Sequence, residues 1–133
     1  MDTNRSDFEK WFHSFREEMG FRQLFVSDEY FAPLICGIAQ VEAFENTYIN
    51  SVFSSFASLK AALEKVGLID PLNFSLYANE DYSKVIIFFF DDVGDLDKIK
   101  VYPNLKDTSF YAYEHIKENE EECIKFIEEC LFL

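Results

Sequence analysis

The chain has 133 residues, of which 49% are hydrophobic and 18% aromatic, and its 25 acidic residues against 12 basic ones give a formal net charge of −13. Disordered acidic segments are poor in aromatic residues because they build no core, so this composition excludes an acidic tail and indicates a single folded domain. The negative charge also disfavours binding to nucleic acids and anionic membranes, which repel it.

The first predicted element is a helix over residues 7–19. Ser6 and Glu9 have the spacing of a capping box, in which the hydroxyl and the carboxylate bind the first free backbone N–H groups of a helix. Gly20 is placed to end the helix, since glycine readily adopts the left-handed conformation found there. Between these signals, apolar residues recur every third or fourth position along one face: Phe8, Trp11, Phe12, Phe15 and Met19.

Residues 28–49 are compatible with two structures. Apolar residues at spacings of three and four favour a helix, with Pro33 in its first turn, where proline is tolerated. The alternative is a buried strand over residues 34–41, with a bulge at Gly37. The spacing favours the helix, and the strand stays open as the second prediction.

A further helix is predicted over residues 54–66, and Gly67 ends it. Beyond it the hydrophobic period changes to two, which predicts three strands over residues 74–78, 82–90 and 98–102. The second strand is apolar on both faces, so it is predicted to be central and covered above and below. In the third strand lysines alternate with apolar residues, which predicts an edge strand whose lysines face the solvent.

The C-terminal segment is predicted to be helical. Its apolar stripe consists of Tyr113, Ile116, Cys123, Ile127 and Cys130, and glutamates cover the remaining surface. The predicted fold class is therefore α+β, with three or four helices packed on a small, about three-stranded antiparallel sheet, in one globular domain spanning residues 1–133.

Cysteine content and hydropathy predict a cytoplasmic protein. Cys36, Cys123 and Cys130 are an odd number without a metal-binding spacing, which favours a reducing compartment and buried thiols. The N-terminus is polar and charged, unlike a secretory signal peptide. The apolar run at residues 85–90 is far shorter than the ~20 residues of a membrane span, so no membrane association is expected.

No sequence motif indicates catalysis, so we predict neither an enzyme nor a bound cofactor. The two histidines, His13 and His115, lie in different predicted helices, and no hydrolase or phosphate-binding pattern is present. Four aspartates follow the central strand, but their spacing does not match a calcium-binding loop. We therefore predict a solvated turn there and no metal: Asp91, Asp92, Asp95 and Asp97.

The negative charge is concentrated after the first helix. Residues 1–26 carry five acids and four bases, whereas residues 27–133 carry twenty acids and eight lysines. Tyrosines are interleaved with these acids, and interfaces favour tyrosine anchors, while carboxylates accelerate the encounter with a basic partner. The predicted partner-binding residues are Tyr77, Glu80, Asp81 and Tyr82 of the first hairpin, and Asp91, Asp92, Asp95 and Asp97 of the second turn.

In size, acidity and lack of catalytic motifs, the chain is similar in character to bacterial toxin-immunity proteins. We therefore predict a non-catalytic inhibitor that covers the cationic active-site cleft of a basic, nuclease-type toxin and binds no nucleic acid directly. One alternative is a phage-type nucleic-acid mimic directed against a host defence nuclease. Others are a small ligand-binding domain or enzyme with a Phe-lined pocket, and an adaptor subunit with an apolar patch at residues 131–133.

Overall fold

A computed structural model of the chain describes residues 7–42, 63–64, 66–68, 73–105, 111–114 and 120–131. The helices are α1 (Asp7–Met19), α2 (Phe31–Glu42) and α3 (Glu120–Leu131). The strands are β1 (Arg22–Leu24), β2 (Phe74–Ala78), β3 (Val85–Phe90), β4 (Leu96–Tyr102) and β5 (Tyr111–Glu114). All neighbouring strands are antiparallel, in the order β1-β2-β3-β4-β5. The predicted α+β class is confirmed for these residues.

Among the described residues the sheet has five strands, so the predicted number of about three is too low. The two additional strands, β1 and β5, contain only 3 and 4 residues, too few for an alternating pattern to be recognised. Because β5 pairs with β4, β4 lies inside the sheet and is not the predicted edge strand. Tyr113, which was assigned to the stripe of the last helix, lies in β5, and Ile116 is outside the described residues.

The predicted helix over residues 7–19 is confirmed as α1. It ends at Gly20, whose φ of +75° lies in the left-handed region that glycine adopts readily. The N–H of Phe21 donates a hydrogen bond to the carbonyl of Arg16 at 2.8 Å, so a backbone group at the helix end is satisfied. Ser6, the predicted capping residue, lies outside the described residues.

Within residues 28–49 the helix prediction is confirmed and the strand alternative is wrong, because α2 runs through residues 34–41. Of the helix predicted over residues 54–66, only residues 63, 64 and 66 are described, and they are helical. Gly67, at φ +91°, ends this segment as predicted. The N–H of Leu68 donates to the carbonyl of Leu63 at 2.8 Å, as in other helices that end at a left-handed glycine.

Helices cover both faces of the sheet. On one face α1 and α3 contact each other and bury Ile86 and Phe88 of β3. On the other face α2, together with Val66 and Leu68, buries Val85 and Ile87 of the same strand. The prediction that this strand is central and covered above and below is therefore confirmed. We call the two interiors the α1–α3 core and the α2 core.

The second predicted strand begins later than expected. β3 starts at Val85, and the preceding residues of the predicted segment 82–90 belong to the turn after β2. Tyr82 has a φ of +60°, in the left-handed region, which is incompatible with an extended strand. The aromatic side chain favours strand conformation on average, but the local geometry of the turn overrides this preference.

Lys100 is buried, and the prediction that the lysines of β4 face the solvent is wrong for this residue. Only 9% of it is exposed, and its Nζ donates a hydrogen bond to the carbonyl of Val66 at 3.1 Å. Val66 is the last helical residue before Gly67, so the ammonium group binds a carbonyl that the helix itself leaves free. Because β4 lies inside the sheet, Lys100 is covered, and its hydrogen bond connects the sheet to the helical segment that ends at Val66.

The described helices are also too short and too polar to traverse a lipid bilayer.

Of the three predicted core thiols, Cys123 and Cys130 are free and buried on the inner face of α3. Burial, together with the negative charge of Glu129, raises the pKa of Cys130 to about 11. This thiol therefore stays protonated at neutral pH and has the properties of an inert core residue.

Candidate partner-binding surface

The first predicted group of partner-binding residues lies in the turn between β2 and β3. Asn79 closes this turn, because its Oδ1 accepts a hydrogen bond from the N–H of Lys84 at 2.9 Å. The carboxylate of Asp81 accepts bonds from the hydroxyl of Ser83 at 2.7 Å and from its N–H at 3.1 Å. These bonds lower the pKa of Asp81, so it is ionised at neutral pH. Both Glu80 and Asp81 are exposed.

Tyr82 of the same turn contacts two residues, Tyr30 and Arg22. Its ring stacks on the ring of Tyr30 at 5.2 Å between centroids, with 30° between the planes. The guanidinium of Arg22 donates a hydrogen bond to the Tyr82 hydroxyl and lies 5.6 Å from the centre of its ring. A left-handed backbone is unfavourable for a tyrosine, and these contacts offset that cost.

Three of the five large hydrophobic side chains exposed in the described residues lie in the loop from β1 to α2. They are Phe25 (57% exposed), Val26 (50%) and Tyr30 (50%). The loop is tight, since Asp28 Oδ2 accepts a hydrogen bond from the N–H of Phe25 at 2.7 Å. Through the Tyr30–Tyr82 stack this loop adjoins the β2–β3 turn. We define the β1-edge surface as Phe25, Val26, Tyr30 and Tyr82.

The first three residues of the β1-edge surface were not predicted from the sequence as partner-binding residues. Tyr30 and Phe25 surround the polar segment at residues 27–29, and polar loop residues beside exposed aromatics are the signal that could have found them. Hydrophobic periodicity cannot indicate these residues, because a loop has no repeating pattern of apolar and polar positions. Only the fold shows that Tyr30 meets Tyr82, which is far away in the sequence.

Tyr77 lies apart from the other members of its predicted group. It is half-buried against the α1–α3 core, where its ring meets Phe12 at 5.0 Å and the guanidinium of Arg16 at 5.1 Å. Burial raises the pKa of Tyr77, and the charge of Arg16 partly opposes this effect. Tyr82 packs against the α2 core instead. The two tyrosines therefore lie on different faces of the sheet, and Tyr77 has a packing role.

The second predicted group lies in the turn between β3 and β4. Asp91 shapes this turn, because its Oδ1 accepts hydrogen bonds from the N–H groups of Val93 at 3.1 Å and Asp95 at 2.9 Å. The predicted turn is confirmed, and the Asp91 carboxylate stabilises it. The pairing of β3 with β4 shifts between Phe89 and Phe90 and skips Asp97. The members exposed to solvent are Asp92, Asp95 and Asp97.

The role of Asp91 can be tested by substitution. Asp91→Ala is expected to lower the free energy of unfolding by about 1 kcal/mol, because two backbone N–H groups lose their acceptor. Asp92→Ala, at the exposed neighbouring position, is the matched control and should change it by less than about 0.5 kcal/mol. Urea titration of both variants provides the comparison. Equal effects at the two positions would show that Asp91 does not shape the turn.

The two predicted groups lie at opposite ends of β3. One turn precedes Val85 and the other follows Phe90, and at about 3.3 Å per residue the strand separates them by roughly 20 Å. A further acidic region is the outer face of α3. Its exposed acids are Glu121, Glu122, Glu128 and Glu129. The eight predicted residues therefore do not form one patch, and within the described residues the β2–β3 turn is the acidic region that adjoins exposed aromatic side chains.

Catalytic or metal-binding arrangements are not evident in the described part of the chain. His13 is exposed on α1, where its Nε2 lies 3.5 Å from the Glu17 carboxylate, and His115 is outside the described residues. No three His, Cys, Asp or Glu side chains among the described residues converge to hold a metal ion.

Comparison with known proteins finds no matching family model, no matching curated protein and no matching solved structure. Function is accordingly inferred from the charge, exposure and packing of the residues described above. The fold class by itself does not specify a function, since one fold supports many.

Proposed function

We propose that the chain is a non-catalytic acidic inhibitor of a basic protein, in the manner of an immunity protein that neutralises a nuclease-type toxin. The observation that carries this proposal is the combination of two exposed acids in the β2–β3 turn, Glu80 and Asp81, with the exposed ring of Tyr30 stacked on Tyr82 of that turn. Carboxylates favour association with a basic partner, and aromatic side chains supply the contact area from which most interface energy derives.

Electrostatic attraction gives such an inhibitor a fast encounter. The formal net charge of −13 creates a negative potential that attracts a cationic cleft over a distance of about 10 Å in 0.1 M salt. Attraction of this kind raises association rate constants from about 10⁶ to roughly 10⁸–10⁹ M⁻¹s⁻¹ at low ionic strength. A toxin must be captured before it acts, so the association rate is the property that an immunity protein needs most.

Inhibition follows from covering the cleft. A nuclease binds phosphates with cationic side chains, and the carboxylates of Glu80 and Asp81 can occupy the same subsites. Asp81 is suited to this because its hydrogen bonds from Ser83 fix the carboxylate in place. Fixed groups lose less conformational entropy when a complex forms, which increases affinity.

The spacing of the predicted acids does not match a nucleic-acid mimic, and it also departs from the single compact patch expected of an immunity protein. A mimic requires carboxylates at regular intervals along one face, in imitation of a phosphate track. The acids predicted to bind a partner instead form two groups separated by the length of β3. In the part of the chain that the structure describes, the β2–β3 group is the one beside exposed aromatic side chains.

The packing of the phenylalanines supports a filled interior over a Phe-lined pocket. Phe12 contacts Phe88 edge to face at 4.8 Å between ring centroids, and Phe8 meets Phe88 in the same manner at 5.9 Å. Such contacts are typical of a closely packed core.

The adaptor alternative requires an exposed apolar patch at residues 131–133. Leu131 is buried, and the two residues that follow it lie outside the described part of the chain.

The proposal is tested by isolating the partner and measuring the association rate. The tagged chain, recovered from cells of its own source at low ionic strength, should carry an equimolar basic protein. With that protein purified, Glu80→Gln combined with Asp81→Asn is expected to lower the association rate constant about three- to ten-fold and to weaken its dependence on salt. The control combines Glu17→Gln with Glu18→Gln on α1, which removes the same charge elsewhere.

Two results would contradict the proposal. One is an association rate that does not change with ionic strength, since electrostatic attraction would then play no part. The other is an equal effect of the two double variants, because net charge alone would then account for binding and the β2–β3 turn would have no special role.

A further inference from the structure

We infer that the β1-edge surface is the site at which the partner makes its main contact, and that the partner presents a basic protein surface there. The inference rests on the proposed function for the charge of the partner, and it extends the contact from Tyr82 of the β2–β3 turn to Phe25, Val26 and Tyr30, which lie outside the two acidic turns. Single exposed hydrophobic residues are common on proteins and need no explanation. Here, however, three of the five exposed large hydrophobic side chains found among the described residues lie in one short loop.

The packing within this surface indicates an interface rather than incidental exposure. The Tyr30 ring is half exposed although it stacks on Tyr82, and the Arg22 guanidinium donates a hydrogen bond to the Tyr82 hydroxyl. Aromatic side chains held in this way lose little entropy on binding, and such residues are the ones that contribute most to protein interfaces. The left-handed backbone of Tyr82 is a strained feature of the kind found at functional sites.

The charges around the surface select the partner. Acidic residues flank it in both segments, namely Asp28, Glu29, Glu80 and Asp81. A basic protein complements this arrangement. A second copy of the chain would place the same acids against one another, and a nucleic acid would bring phosphates against them, and both arrangements are repulsive. The surface therefore fits an apolar contact area on the partner surrounded by lysine or arginine.

The opposite edge of the sheet offers a matched control. Tyr111 of β5 is 39% exposed, and four strand spacings of about 4.8 Å place β5 roughly 19 Å from β1. It is a partly exposed aromatic like Phe25, but on the other edge. Val93, which is 79% exposed in the β3–β4 turn, is the corresponding control for Val26.

Photo-crosslinking in cells of the protein's own source tests the site directly. A benzoylphenylalanine replaces Phe25 in one version of the full chain and Tyr111 in another, and the adducts are identified by mass spectrometry. The expected result is an adduct with one basic protein that is stronger from position 25 than from position 111. Equal or stronger crosslinking from position 111 overturns this inference and leaves the proposed function standing.

Other outcomes are equally decisive. An adduct of position 25 with an acidic protein, or with a second copy of the chain, overturns the inference about the partner and the proposed function together. Absence of adducts at both positions also overturns the inference, because the surface would then make no contact.

Binding of the identified and purified partner completes the test. Val26→Ser combined with Tyr30→Ala is expected to raise the Kd about 10- to 100-fold, mostly through faster dissociation, whereas Val93→Ser should leave it unchanged. Circular dichroism and thermal melting verify that the variants are folded. If the Kd changes by less than about two-fold in a folded double variant, the contact lies elsewhere.

Discussion

Replacing Phe12 by alanine is expected to lower the free energy of unfolding by about 3–5 kcal/mol. Phe12 is 7% exposed, and its ring meets Phe88 at 4.8 Å and Tyr77 at 5.0 Å, both in edge-to-face geometry. Truncation removes these contacts and leaves a cavity between α1 and the sheet. Because α1 and α3 together cover one side of the central strand, the loss affects the α1–α3 core directly.

Phe25→Ala is the matched control for this prediction. Phe25 is 57% exposed, so the same change there should alter the free energy of unfolding by less than about 0.5 kcal/mol. Urea denaturation followed by tryptophan fluorescence measures both variants, since Trp11 lies 6.3 Å from Phe12 between ring centroids. A loss of similar size in the two variants would contradict the arrangement of α1 on the sheet.

The second large effect is expected at Lys100. Lys100→Met should lower the free energy of unfolding by about 1–3 kcal/mol, although methionine is apolar and of similar length. The reason is that the carbonyl of Val66 accepts a hydrogen bond from the Lys100 Nζ at 3.1 Å, and the substitution removes this donor. An unpaired carbonyl at a buried helix end is unfavourable.

Lys98→Met provides the control, since Lys98 is on the same strand and is only partly buried. Its Nζ lies 4.9 Å from the centre of the Phe89 ring, and loss of this interaction should reduce stability by no more than about 1 kcal/mol. Thermal or urea unfolding of the two variants gives the comparison. If Lys100→Met is as stable as the unaltered chain, then the hydrogen bond to Val66 does not hold the segment on the sheet.

Long periodic segments could be predicted from the sequence. The apolar stripe of α1 and the run of β3 that is apolar on both faces each indicate one structure, because the same hydrophobic pattern continues over many residues. Both elements were found in the expected places, with β3 shortened at its start by the backbone of Tyr82. The short strands β1 and β5 lacked this repetition, and their pairing with distant strands is a tertiary property.

The partner-binding surface was predictable only in part. The acids of the β2–β3 turn are visible in the sequence because charge and turn residues coincide there. The contact of Tyr30 with Tyr82 joins positions on different elements, and no local pattern encodes it. The burial of Lys100 was missed for a similar reason, since it depends on the strand and the helical segment that cover β4.

The central claim is that the chain neutralises a basic, nuclease-type partner by covering its active-site cleft. The most direct measurement is a titration of the partner's cleavage of a fluorescent nucleic-acid substrate with increasing amounts of the chain. The proposal predicts that activity falls linearly and reaches zero when chain and partner are equimolar. Full cleavage in the presence of a large excess of bound chain would contradict it.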